Sequence, residues 1–150
     1  MIYSIGYQKI TVEQLKEIMK QKDIGLLVDV RSVPYSRNPL KYEFNKNRLI
    51  ASLGISTKHA CHRYTWMGDR CGGKQGPVKA ECIRKLLVLN NPPGEHNLLL
   101  MCMENHPLDC HRYYDISKRL LDPGRIDVIH LFDGQEVKTS ELMEAQRDKK

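Results

Sequence analysis

Two rhythms of apolar positions alternate along this chain. Short apolar runs ("MIYSIG", "IGLLVDVR", "LLLMCM", "IDVIHLF") are separated by stretches in which apolar residues recur every three or four positions. The continuous runs read as strands buried on both faces, as in parallel sheets. Between the first two runs, Val12, Leu15, Ile18 and Met19 repeat at helical spacing, and Thr11 with Gln14 three residues later forms a capping box. In the polar stretch "SVPYSRNPLKYEF", Pro34 and Pro39 are expected to prevent regular structure. Asn45 is placed to cap a helix over "KNRLIASL", and Gly54 to close it.

The middle of the chain is less regular. "ISTKHACH" alternates and predicts a third strand, and residues 64–76 read as a glycine-rich loop. Pro77 suits the first turn of a helix through about Leu89, and "NNPPGEHN" is a break before the fourth strand. A helix is expected from about Asp109 to Leu121, ended by Pro123-Gly124. Residues 134–150 follow the fifth strand as a weakly patterned tail. Strands alternating with helices predict one α/β domain over 1–133: a mainly parallel five-stranded sheet flanked by helices, with Rossmann-like or rhodanese-like layering.

In such folds ligands bind beyond the carboxyl ends of the strands. That rule gathers Gly6-Tyr7, Asp29 to Arg31, His59 to His62 and Cys102 to Glu104 on one sheet edge. The most loaded segment is "LLLMCMENHPLDCHRYYD", Leu98 to Asp115. Cys102 and Glu104 end a buried strand on a shared side, so a thiolate nucleophile and a carboxylate general acid or base stand together. The next helix opens at Asp109, Cys110, His111 and Arg112, where free backbone N–H groups attract anions and lower a thiol pKa. The bland alternative is that Asp109 only caps the helix while Cys110 packs inward. Asp29 and Arg31 either pair with each other or orient a substrate. In the second case Arg31, Arg37 and Arg112 make a phosphate fork.

Composition narrows the setting. The chain has 150 residues with 41% hydrophobic content, enough for one domain with a core. No apolar run approaches the roughly 20 residues of a membrane span, and Met1 to Ser4 lack the look of a signal peptide. A cytoplasmic protein without membrane contact is expected. The net charge of +6 favours anionic partners: DNA, RNA or nucleotides. Five cysteines with no C-x-x-C pair argue against a disulfide framework, and Cys82 reads as a small buried hydrophobe.

Several motifs are excluded. "GDRCGGK" has the spacing G-x-x-x-x-G-K, but Gln75 stands where Ser or Thr would hold magnesium, and Gly76-Pro77 interrupts the helix. None of the five cysteines has an arginine six positions on, which removes the cysteine-phosphatase loop. "LVDVRS" resembles rhodanese-type sulfurtransferases in that stretch alone. No cofactor is expected. Zinc is the alternative, drawing on His59, Cys61, His62, Cys71, Cys102, Cys110 and His111, of which only "HACH" offers a close pair.

Taken together, "IYSIGY", "LLVDVRSVPYSRNP", "FNKNRL" and "CMENHPLDCHR" resemble the domain-of-unknown-function family 488. The resemblance runs in order from Met1 to about Phe132. It implies that Gly6, Asp29, Arg31, Arg37, Cys102, Glu104, Cys110, His111 and Arg112 gather at one site. The family's leucine-proline-x-leucine-glycine stretch is replaced here by "YTWMG", keeping Gly68, and Trp66 offers a stacking surface instead.

The expectation that follows is an enzyme, a hydrolase or transferase, acting on an anionic nucleotide-containing substrate such as nucleic acid. Glu104, Cys102, Cys110 and Asp29 are its candidate catalytic residues. Tyr7, Arg31, Arg37, Trp66, His111 and Arg112 are the candidates for substrate or phosphate binding. Two alternatives stand beside it: sulfur transfer or redox chemistry through Cys102 and Cys110, and a basic or zinc-stabilised nucleic-acid-binding module without catalysis.

Overall fold

The computed structural model describes residues 1–56, 61–74, 76–90 and 96–148. Strand β1 (Ile2–Gly6) leads into helix α1 (Val12–Gln21). The capping box forms as its spacing predicts: Thr11 Oγ1 accepts from the Gln14 backbone, and Gln14 Oε1 accepts from the Thr11 backbone. Strand β2 (Ile24–Asp29) follows, and then a loop into α2 (Lys46–Leu53).

That loop is more regular than its prolines suggest. Pro39–Phe44 is a 3₁₀ turn with Pro39 at its start, where a missing N–H costs nothing, and Asn38 Oδ1 accepts from the Leu40 backbone. Asn45 precedes α2, yet its side chain accepts from the Ser36 backbone and so ties the loop to the helix start.

The expected third strand is divided. Ile55–Ser56 (β3) and Cys61–His62 (β4) pair antiparallel in a small sheet of their own. The main sheet instead recruits β5 (Tyr64–Trp66), from the stretch that reads as a loop. A helical turn, α3 (Gly68–Cys71), and α4 (Ala80–Leu89) come next; α4 begins three residues after Pro77. Asn91 to Glu95, within the expected break, lie outside the described residues.

Cys71 and Cys82 form a disulfide, which corrects the reading of Cys82 as a free thiol. The cause is local: the end of α3 and the first turn of α4 bring the two Cα atoms to 5.2 Å.

Strand β6 (Asn97–Cys102) is followed by a 3₁₀ turn, Pro107–Asp109. The helix expected from Asp109 starts later and wider. Arg112–Ser117 is π-helical, with the Ser117 hydroxyl donating to the Arg112 carbonyl, and it runs into α5 (Lys118–Leu121). Strand β7 (Ile129–Phe132) ends the expected fold.

The supposed tail is structured. Asp133 and Gly134 both take positive φ, 51° and 72°, as a two-residue hairpin requires. They turn the chain into β8 (Gln135–Lys138), antiparallel to β7, and α6 (Thr139–Asp148) follows.

The six strands lie in the order β5-β2-β6-β1-β7-β8, parallel except for β8. Alternate strand residues feed two cores. On one face Val28, Val30, Leu98, Leu100 and Cys102 meet Cys82 and Leu86 of α4, Ile116, and Leu120 of α5. On the other, Tyr3, Ile5, Leu27, Leu99 and Met101 meet Val12, Leu15 and Met19 of α1 and Leu49 of α2. Among the described residues no helix is long and apolar enough to cross a membrane.

Truncation after Asp133 tests the structured C-terminal segment. It uncovers β7, removes buried Leu142 and takes Thr139 away from buried His130. We expect a loss of at least about 3 kcal/mol in urea unfolding. An equally stable truncated chain would mean that β8 and α6 are mere appendages.

Candidate functional site

Four reactive groups converge where β6 ends and the following helix begins. Cys102 is the last residue of β6, and two positions on Glu104 Oε2 lies 3.6 Å from its Sγ. The turn through Pro107–Asp109 brings the chain back, so that His111 Nδ1 stands 3.9 Å from Cys102 Sγ and 3.7 Å from Cys110 Sγ. The donor atoms of Cys102, Cys110 and His111 all lie within 4.8 Å of one another. Both thiols are free and buried, while His111 and Glu104 are half-buried and form the open side.

The histidine is fixed from behind. Its Nε2 lies 3.1 Å from the Val30 carbonyl at the end of β2. A carbonyl only accepts, so Nε2 carries a proton and Nδ1 is the atom turned to the thiols. Gly73 presses on the ring: a Cβ at that position would come within 2.9 Å of His111 Cγ.

Electrostatics separates the two thiols. Cys110 is drawn well below the ordinary thiol range by hydrogen bonding to Cys102, against its burial, with His111 and the Arg112 charge helping. Cys102 is pushed up by that same hydrogen bond and by burial. Burial pulls His111 down, but its contact with Cys110 outweighs this and raises it. Of the pair, Cys110 is the thiol that ionises more readily.

Arg112 has a different position from the phosphate ligand expected. It is fully buried: Nη1 donates to the Glu104 carbonyl at 2.7 Å, Nη2 to the Asn105 carbonyl at 3.0 Å, and Nε to Ser4 Oγ at 3.2 Å. It holds the turn that carries Glu104. Gly6 makes room for that turn, since a Cβ there would meet the Glu104 carbonyl oxygen at 1.8 Å. Behind Arg112 the chain of hydrogen bonds has one polarity. Thr139 Oγ1 donates to the Val128 carbonyl at 3.2 Å and so accepts from His130 Nε2 at 2.9 Å. His130 Nδ1 is left to accept from the Ser4 hydroxyl. Burial, with the Arg112 charge adding to it, holds the His130 pKa down to about 3.

Asp29, Arg31 and Tyr7 belong to the opposite face. Asp29 pairs in register with Met101, so its side chain enters the core of α1 and α2 rather than the thiol side. Arg31 grips it through Nε at 2.8 Å and Nη2 at 2.7 Å, and Nη2 also reaches the Phe44 carbonyl at 2.8 Å. The Tyr64 hydroxyl donates to the same carboxylate at 2.5 Å; burial and Asp29 push that phenol's pKa up. Arg31 lies over the Tyr7 ring, which stacks on Phe44. Tyr7 is only 4% exposed and has no free face for a base.

The remaining candidates are dispersed. Arg37 is exposed on the loop between β2 and α2. Trp66 donates from Nε1 to the Arg31 carbonyl at 2.8 Å, and Lys46 covers its ring. The three-arginine fork therefore does not form, because two of its members are buried and engaged. Of the "HACH" group, His59 and Ala60 lie outside the described residues. The G-x-x-x-x-G-K stretch contains the helical turn α3, and Gln75 within its flank lies outside the described residues.

Ser4, Val30, His130 and Thr139 were not singled out in the sequence. The one available signal was a polar residue inside an apolar strand, Ser4 in "IYSIG" and His130 in "VIHLF".

Against known families, the model described as Domain of unknown function DUF488 matches residues 11–81. That span holds α1, β2, α2 and the Asp29–Arg31 pair, and it ends before β6. No curated protein and no solved structure matches the chain.

The buried histidine gives a pH test. Its folded pKa is depressed, so unfolded chain binds the proton first as pH falls below about 6.5, and stability present above that value is lost toward pH 3. Between pH 7 and pH 5 the wild type should lose about 2 kcal/mol more than His130→Gln in urea unfolding. Parallel curves would contradict a neutral His130.

Proposed function

We propose, from the match of residues 11–81 to the DUF488 family model and from the sheet-edge geometry, an enzyme, hydrolytic or group-transferring, that acts on an anionic nucleotide-containing substrate. One observation carries the reading: Cys102, Cys110 and His111 converge on one another at the carboxyl end of β6, with Glu104 beside Cys102. The place supports it as well. β1 and β6 are neighbours, but the chain leaves β1 toward the α1 face and β6 toward the α5 face. Crevices for ligands open at such crossings in open α/β sheets.

Glu104 is the proton carrier in this reading, half-exposed beside the thiols and fixed through its own backbone by Arg112. Substrate charge is met by the net charge of +6 and by exposed Arg37, on the loop that leaves β2 at the same sheet edge. DNA and RNA are the first substrates to try. The proposed setting is the cytoplasm, which keeps Cys102 and Cys110 reduced and in which the fully buried Cys71–Cys82 disulfide is an exception.

A second reading, sulfur transfer or redox chemistry, draws on the acidified Cys110 next to the Cys102 thiol. Its signature is a persulfide on Cys110 after incubation with thiosulfate, whose S–S bond breaks to release sulfite as the outer sulfur passes to the Cys110 thiolate, read by intact mass.

The first reading is tested by nucleoside mass spectrometry. DNA and RNA, naturally modified DNA included, are incubated with wild type and with Glu104→Gln. We expect a base, nucleoside or nucleotide altered by wild type and formed about 10²–10⁴-fold more slowly by the variant. Equal product with both proteins, or none with substrates intact, would remove the reading.

A further inference from the structure

We infer that Cys102, Cys110 and His111 bind a thiophilic divalent cation of the zinc class, leaving its fourth position open beside Glu104. The argument begins with distances. Donors held 2.0–2.3 Å from a tetrahedral zinc lie about 3.5–3.8 Å apart. His111 Nδ1 stands 3.7 and 3.9 Å from the two sulfurs, and the two sulfurs lie within 4.8 Å of each other. The nitrogen–sulfur spacings are long for strong hydrogen bonds and close to the edges of a coordination tetrahedron.

The surroundings agree. His111 gives its Nε2 proton to the Val30 carbonyl, the outer-sphere contact that fixes a ligating imidazole and turns its other nitrogen inward. Gly73 against the ring leaves it little freedom to turn. The three donors come from two elements, the end of β6 and the start of the following helix, and Arg112 and Gly6 fix the turn between them.

The donor set selects the ion. Two sulfurs and an imidazole suit zinc, whereas magnesium and calcium take oxygen. Three protein ligands with an open fourth position is the form of catalytic rather than structural zinc. A water there would give its proton to Glu104, which is not itself a ligand. Only this catalytic meaning rests on the function proposed above; cation binding stands on the geometry alone.

The test uses the full chain, freed of metal by a chelator and kept reduced at Cys102 and Cys110. It is titrated with zinc against a competing indicator, and separately with cobalt(II) to read thiolate-to-metal charge transfer. We expect about one ion per chain, a tetrahedral cobalt spectrum, and affinity lower by about a hundredfold or more in both Cys110→Ser and His111→Gln. Wild type that binds no zinc, or binding that survives both substitutions, overturns the inference. A variant that fails to fold does not decide the matter, because the wild-type titration already does. Zinc bound through these residues without action on nucleic acid would uphold this inference and sink only the substrate reading. Nucleic-acid turnover by protein that binds no metal would do the reverse.

Discussion

The guanidinium of Arg112 is the constraint on which the site depends. A fully buried positive charge is costly unless every donor is met, and here the partners among the described residues are neutral oxygens: two turn carbonyls and the Ser4 hydroxyl. Its charge in turn favours ionisation of the neighbouring Cys110. One side chain thus shapes the Glu104–Asn105 turn and contributes to the lowered pKa of Cys110. The polar chain behind it extends this order along the same face of the sheet to β7. Ser4, His130 and Thr139 pass hydrogen bonds in one direction to the Val128 carbonyl, which links α6 to the back of the site.

The sheet divides the charged residues into two groups with different work. Asp29, Arg31 and Tyr64 form a buried ionic cluster on the α1 and α2 face, where they tie the end of β2 to the loop that follows. The thiols, Glu104 and His111 occupy the α4 and α5 face and retain an open side. A single residue joins the two groups: Val30 lies between Asp29 and Arg31 in sequence, and its carbonyl orients His111. Alternation at the end of β2 sends the Asp29 and Arg31 side chains to one face and the Val30 side chain to the other, into the core beside the thiols.

Much of the frame was legible because it rests on local rules. The continuous apolar runs gave β1, β2, β6 and β7 their parallel core, and the Thr11–Gln14 box marked the start of α1. Cys102, Glu104, Cys110 and His111 were visible as a group because they sit within ten residues of one another. What escaped was non-local or masked by weak pattern. β5 has only three residues and stands in glycine-rich surroundings, so its place beside β2 is a tertiary decision. The Asp133-Gly134 hairpin signal was present, but Gln135–Lys138 is too short and polar to declare itself a strand. The role of Arg112 could not be read at all: an arginine after Cys-His looks like an anion ligand until its carbonyl partners are seen.

The most direct test of this account is equilibrium urea unfolding of Arg112→Met, which keeps length and apolar volume while removing the five donors. Ser4 and two turn carbonyls then lose a partner, and Cys110 loses a positive charge that favours its ionisation. We predict a loss of about 3 kcal/mol or more. A change under about 1 kcal/mol would show that the turn holds itself, and that Arg112 is not what organises the site.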